Sequence, residues 1–124
     1  MIRVIHFDYA KFFSQAIRDG LQFEFKKYPE VIYYDFMKDH SGGSNSLEML
    51  EELLPKYDVL LIHPGLERQS KAFSYQKQFP HLRVALVIPG DFTHYHDEEL
   101  HGMQIFGYYH INPIIDFVLH KKSA

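Results

Sequence analysis

Apolar positions fall in two alternating patterns along the chain. Short continuous runs rich in β-branched residues are separated by stretches with helical spacing. Ile2–Phe7 is the first such run and reads as a strand, with His6 near its end. Over Lys11–Phe25, the residues Phe12, Phe13, Ala16, Ile17 and Leu21 recur at helical spacing and predict an amphipathic helix with one wide apolar face. Asp8 stands just before it, in position to cap it. Pro29 marks a turn, and Val31–Phe36 reads as the second strand.

The polar stretch Lys38–Ser46, with adjacent Gly42 and Gly43, predicts a loop. Asn45 and Glu48 have the spacing of a capping box for a second helix carrying Leu47, Leu50, Leu53 and Leu54, closed by Pro55. Val59–Ile62 is almost wholly apolar, as expected of a strand covered by helices on both faces of a parallel sheet. His63-Pro64-Gly65 ends it. A third helix is predicted from about Glu67 to Phe79, with Ala72, Phe73 and Tyr75 inward. Val84–Ile88 follows as a strand, then a brief polar helical stretch within Asp91–Gly102, then a strand over Ile105–Tyr109. Asn112-Pro113 opens the last helix, Asn as cap and Pro in the first turn, with Ile114, Ile115, Phe117 and Val118 on its apolar side.

The resulting order is (βα)5. Connections of this length predict a parallel sheet with right-handed crossovers and helices on both faces, an α/β three-layer sandwich. One domain is expected over residues 1–120, with 121–124 as a flexible tail. The length of 124 residues agrees with a single domain.

Composition removes several function classes. With 46% hydrophobic and 23% charged residues, the chain carries enough apolar surface to fold. The absence of Cys excludes disulfides, thiolate catalysis and Cys-ligated metal. A formal charge of −3 lacks the basic excess of a phosphate-binding surface, so no nucleic-acid partner is expected. No apolar run approaches the length of a membrane span, and the first residues lack a leader's apolar stretch, so a cytoplasmic location is expected. The nine His, at positions 6, 40, 63, 81, 94, 96, 101, 110 and 120, invite an acid–base or metal reading. Scattered histidines are, however, most often surface or cap residues.

In parallel sheets ligands gather beyond the carboxyl ends of the strands. Those ends carry Asp8, His63, Pro89 and, shortly after the fifth strand, Asn112. Three stretches at these ends resemble the receiver domain of two-component response regulators: Val4-Ile5-His6-Phe7-Asp8, then Tyr57-Asp58-Val59-Leu60-Leu61-Ile62-His63, then Tyr109-His110-Ile111-Asn112-Pro113. The resemblance spans nearly the whole chain. It implies a CheY-like, flavodoxin-type sheet of strand order 2-1-3-4-5.

The departures from that family are specific. Its phosphorylated Asp falls on His63. Its acidic pair falls on Phe7 and Asp8, its switch Ser/Thr on Ile88 or Pro89, and its Lys on Asn112; only the aromatic position, Tyr109, is kept in type. Phosphotransfer to Asp requires a carboxylate nucleophile, a cation held by hard oxygens, and a positive charge to balance the phosphoryl group. Phe7, His63 and Asn112 supply none of these. The resemblance therefore implies a pseudo-receiver, with Asp8, His63 and Asn112 as a degenerate phosphorylation site, no cofactor and no catalysis. Such a domain acts as a protein–protein interaction module in signalling or transcriptional regulation. Tyr108, Tyr109 and His110 are the expected contact surface, including for a homodimer through the face formed by the fourth helix, fifth strand and last helix. Tyr109 suits core and interface equally, and Tyr108 is expected to be exposed.

Rival readings use the same strand ends. Asp8 and His63 are expected to pair by a hydrogen bond or salt bridge in the vacated pocket. With His94 or His96 they instead form a candidate zinc site, since zinc accepts such N/O ligands. As a base pair they suit a small flavodoxin-like enzyme, with the Gly90 and Asn112 backbones binding an oxyanion. Against an enzyme, there is no nucleophile elbow, Gly42-Gly43 lacks a phosphate-loop context, and Asp8-Tyr9-Ala10-Lys11 lacks the Ser/Thr/Gly run of a flavin phosphate cradle. A phosphorylated His63 has no supporting machinery nearby. The His-rich segment 94–101 also fits a pH sensor, and the triplet Asp97-Glu98-Glu99 a solvated helix start.

Overall fold

The computed structural model describes residues 1–41, 44–65, 68–90 and 103–120. Five strands form one sheet: β1 (Ile2–Asp8), β2 (Val31–Asp35), β3 (Val59–His63), β4 (Arg83–Ile88) and β5 (Gln104–Gly107). All neighbouring pairs are parallel, and the order is β2-β1-β3-β4-β5. Among the described residues there are four α-helices: α1 (Gln15–Phe25), α2 (Ser44–Leu53), α3 (Gln69–Gln78) and α4 (Ile111–Val118), the last helix. The brief helix expected within 91–102 and the tail 121–124 lie outside the described residues, as do Gly42 and Gly43.

The central strands are apolar on both faces because both faces are covered. Ile5, Phe7, Leu60, Ile62, Leu86 and Ile88 pack with Leu47 and Leu50 of α2 and with Ala72 and Tyr75 of α3. Val4, Val59, Leu61, Ala85 and Val87 pack instead with Ile17, Leu21 and Phe25 of α1 and with Ile114, Ile115 and Val118 of α4. The alternation along each strand thus divides one sheet between two cores. α1 and α4 approach closely at Gly20, where a Cβ would stand 3.0 Å from Ile111 Cδ1. The layering and strand order are consistent with a flavodoxin-like arrangement.

Several local expectations are corrected. α1 begins at Gln15, not Lys11, and residues 11–14 form a turn, leaving Phe12 and Phe13 outside the helix and 87% and 82% exposed. The physical reason is Arg18, which lies on the inward face and draws the preceding turn onto itself: its Nη2 donates to the Lys11 carbonyl at 2.6 Å and its Nε to Ser14 Oγ at 2.9 Å. Asp8 does not cap α1; its Oδ1 accepts from the Ala10 N–H at 2.7 Å and closes a local turn. α2 starts one residue before Asn45, so Asn45 lies within the helix. β5 ends at Gly107, placing Tyr108 and Tyr109 in the turn beyond it. The residue flanking α4 at its start is His110, so Asn112 is the second helical residue.

Candidate functional site

Parallel pairing fixes the geometry at the carboxyl ends of the central strands. In the β1–β3 register Asp8 lies opposite His63, and in the β1–β2 register His6 lies opposite Asp35. These four residues are buried, and they share the sheet face covered by α1 and α4 because strand residues two apart point to one side. Ser14 and Arg18 of the α1 region, also buried, complete a polar layer above the apolar core.

Asp8 is satisfied from within the chain. Its Oδ2 accepts from the Tyr108 hydroxyl at 2.5 Å, and its Oδ1 from the Ala10 N–H. Burial nevertheless dominates and pushes the carboxyl up to about 7, against the lowering effects of Tyr108, Ala10 and the Arg18 charge. The expected Asp8–His63 pair does not form. Asp8 turns to Tyr108, and beyond the ladder pairing of the two strands the Tyr9 N–H donates to the His63 carbonyl at 2.9 Å.

His63 sits beneath Tyr9, whose ring meets it edge-on at 4.7 Å between centroids. Its Nδ1 is buried without a hydrogen-bond partner among the described residues, and burial lowers the imidazole to about 4. His6 is similar. Its Nδ1 shares a 2.7 Å hydrogen bond with the Tyr33 hydroxyl, its Nε2 has no partner among the described residues, and burial aided by the Arg18 charge lowers it to about 3. Both histidines are therefore neutral at pH 7.

The remaining expected positions divide. Phe7 is fully buried against Phe36, 5.8 Å between ring centroids, and has no polar atom to offer the cleft. Ile88 is buried in the core. Asn112 is exposed on α4, and it is Tyr108 that reaches Asp8. Tyr108, expected outside, is half-buried. Tyr109 is 69% exposed; its ring lies across Gly90 and Gly107, where an added Cβ would stand 3.0 and 3.1 Å from Cε1. His110 packs its ring edge-on to Tyr109 at 4.3 Å, and its Nδ1 accepts from the Gly107 N–H at 3.0 Å. His94, His96, His101 and Asp97-Glu98-Glu99 lie outside the described residues. Among the described residues no three His, Asp or Glu side chains stand together as a metal-ligand group.

Sequence reading missed the ion pair at the base of the layer. Arg18 Nη1 donates to Asp35 Oδ2 at 2.7 Å, and both side chains are buried. Asp35 Oδ1 also accepts from the Met37 N–H at 3.0 Å, which starts a short 3-10 turn over Phe36–Lys38. A signal for the pair existed. Ser14, Arg18, Leu21 and Phe25 lie on one helical stripe, and Asp35 interrupts the run Val31–Phe36.

No helix among the described residues is long and apolar enough to cross a membrane. Compared with protein-family models, with curated proteins and with solved structures, the chain matches none.

Proposed function

We propose that the chain is a receiver-like domain without the phosphate switch: a phosphorylation-independent protein-interaction module of the CheY-like, flavodoxin-type class. The observation that carries this reading is the internal commitment of Asp8. Its two oxygens accept from Tyr108 and Ala10, and the positions beside it hold Phe7 in the core and a neutral His63. A divalent cation of the magnesium type requires several hard oxygens at one point. Here one carboxylate is held by its own chain, and its strand neighbours bring an apolar ring and an imidazole.

With that chemistry gone, the outer faces do the work. Tyr109, exposed beyond β5 next to α4, is an aromatic anchor of the kind that dominates interfaces. The partner is a protein, a second copy of this chain included, bound through the side formed by β5 and α4.

A second reading, a small enzyme or a metal-binding protein, draws on one observation, the buried Nδ1 of His63 without a partner among the described residues. An imidazole nitrogen with a free lone pair is a zinc ligand. Native mass spectrometry with added zinc separates the two readings: stoichiometric uptake that His63→Gln abolishes favours the metal protein.

Incubation of the full chain with acetyl phosphate and magnesium, followed by intact-mass analysis, tests the main reading. The expected result is an unmodified mass. A stoichiometric acid-stable, base-labile phospho-adduct on an Asp contradicts it.

A further inference from the structure

The most conspicuous exposed apolar feature is the turn between β1 and α1. Phe12 and Phe13 stand side by side at 87% and 82% exposure, with Tyr9 at 44% just before them. An apolar pair so exposed is costly unless something covers it.

The turn is held rigidly from below. Arg18, buried and ion-paired with Asp35, donates to the Lys11 carbonyl and to Ser14 Oγ. The Ala10 N–H is fixed by Asp8 and the Tyr9 N–H by the His63 carbonyl. Five hydrogen bonds, those to Lys11, Ser14 and Asp35 and those of Ala10 and Tyr9, thus fix the frame from which both rings project. Preorganised aromatic anchors lose little entropy on binding.

Beside Phe12 opens a cleft of about 190 Å³ between α1 and the turn after β2, lined by Lys11, Gln15, Arg18, Asp19, Asp35 and Lys38. Asp35 has both oxygens engaged, with Arg18 and the Met37 N–H, so the charged side chains left in the cleft lining are Lys11, Lys38 and Asp19, one positive charge in excess. On a chain of net charge −3 this is a locally cationic spot.

We propose that the Lys11–Ser14 turn is a docking site for an acidic peptide segment of another protein. The segment covers Phe12 and Phe13 with apolar side chains and places a carboxylate in the adjoining cleft between Lys11 and Lys38. Two Phe side chains bury roughly 300–500 Å², well short of the about 800 Å² per partner of a stable protein interface. A symmetric dimer through this turn alone is therefore too small, whereas a peptide that wraps both rings and enters the cleft uses all of the surface. The proposal rests on the reading of the chain as an interaction module and names a surface other than Tyr109.

Selection of phage-displayed random dodecapeptides on the immobilised full chain tests it. Enriched sequences are expected to combine Asp or Glu with apolar residues. Their affinity is expected to fall about tenfold or more for the Phe12→Ser/Phe13→Ser variant, to weaken for Lys38→Glu, and to be unchanged for Tyr109→Ser. Basic or uncharged consensus sequences, no enrichment, or binding indifferent to Phe12, Phe13 and Lys38 overturn the proposal. So does a dimer in sedimentation velocity, or binding to phosphatidylserine vesicles, that the double Ser variant abolishes. Should the double variant unfold, Lys38→Glu carries the test, because Lys38 is exposed. Failure here leaves the phosphorylation-independent reading intact; that reading fails separately, on the acetyl phosphate experiment.

Discussion

The Tyr108 hydroxyl donates to Asp8 Oδ2 across a separation of 100 residues in sequence, tying the turn after β5 to the end of β1. Tyr108, half-buried against the core under α1 and α4, thereby engages one oxygen of the strand-end carboxylate. Tyr108→Phe removes the donor and leaves a buried carboxylate with one fewer partner, at a cost of about 1–3 kcal/mol. The loss is expected to be larger at pH 8, where Asp8 is ionised, than at pH 5, where it is protonated. Urea denaturation at the two pH values checks this; an equal loss at both contradicts the assigned role.

The buried titrating groups oppose one another. Asp8, raised to about 7 from 3.8, keeps its proton in the folded state while the unfolded chain releases it. Its contribution is full below the unfolded value and is lost as pH rises towards 7. His6 and His63, lowered from 6.5 to about 3 and about 4, stay neutral in the fold while the unfolded chain is protonated, so their contribution grows as pH rises to about 6.5. Each group contributes a slope of about 1.4 kcal/mol per pH unit where only one state is protonated. Two rising slopes and one falling slope leave a net rise of about 1.4 kcal/mol per pH unit between about pH 4.5 and 6. Asp8→Asn removes the falling component, so the variant is expected to show about twice that slope and no decline between pH 6.5 and 7. Denaturation midpoints across that range measure it.

The Arg18–Asp35 pair is the structural base of the β1–α1 turn. Removing one partner strands a buried charge, so Arg18→Met or Asp35→Asn is expected to cost about 3–5 kcal/mol. The double replacement Arg18→Met/Asp35→Leu is expected to cost much less than the sum, because no unpaired charge remains. A double-mutant cycle by urea denaturation measures the coupling. Additive losses contradict a direct buried pair.

Gly65 follows β3 with φ +93°, and Tyr9 lies over it, with an added Cβ 3.5 Å from the ring. The space admits a methyl group, but the backbone conformation disfavours one. Gly65→Ala is expected to cost about 1–2 kcal/mol, seen as a lower denaturation midpoint. An unchanged midpoint indicates that the turn relaxes to another conformation.

Strands were the most legible part of the sequence. Val59–Ile62 and Val84–Ile88 are so apolar and β-branched that only a buried strand suits them, and each observed strand extends them by one residue, to His63 and from Arg83. Helical spacing was ambiguous at its start. Phe12 and Phe13 continue the period of Ile17 and Leu21, yet the turn is set by Arg18 reaching Lys11 and Ser14, a tertiary demand that periodicity does not carry. At the site, the strand ends predict Asp8 and His63 side by side, as the register has them. Their partners were not legible, because Tyr108 is brought to Asp8 only by the sheet closing over β3 and β4. The family resemblance puts Asn112 at the cleft, but as the second residue of α4 it lies on the helix's exposed side.

Asp8 is held by Tyr108 and Ala10, and on the function proposed above its surroundings assemble no phosphoryl–magnesium site. Titration of the ¹⁵N-labelled chain with beryllofluoride and magnesium, followed by amide shifts, tests this most directly, since beryllofluoride mimics an acyl phosphate only where a carboxylate and a bound cation meet. No saturable shift is expected at Asp8, Tyr9, His63 or Tyr108. Saturable, magnesium-dependent shifts at those amides, lost in Asp8→Asn, would contradict it.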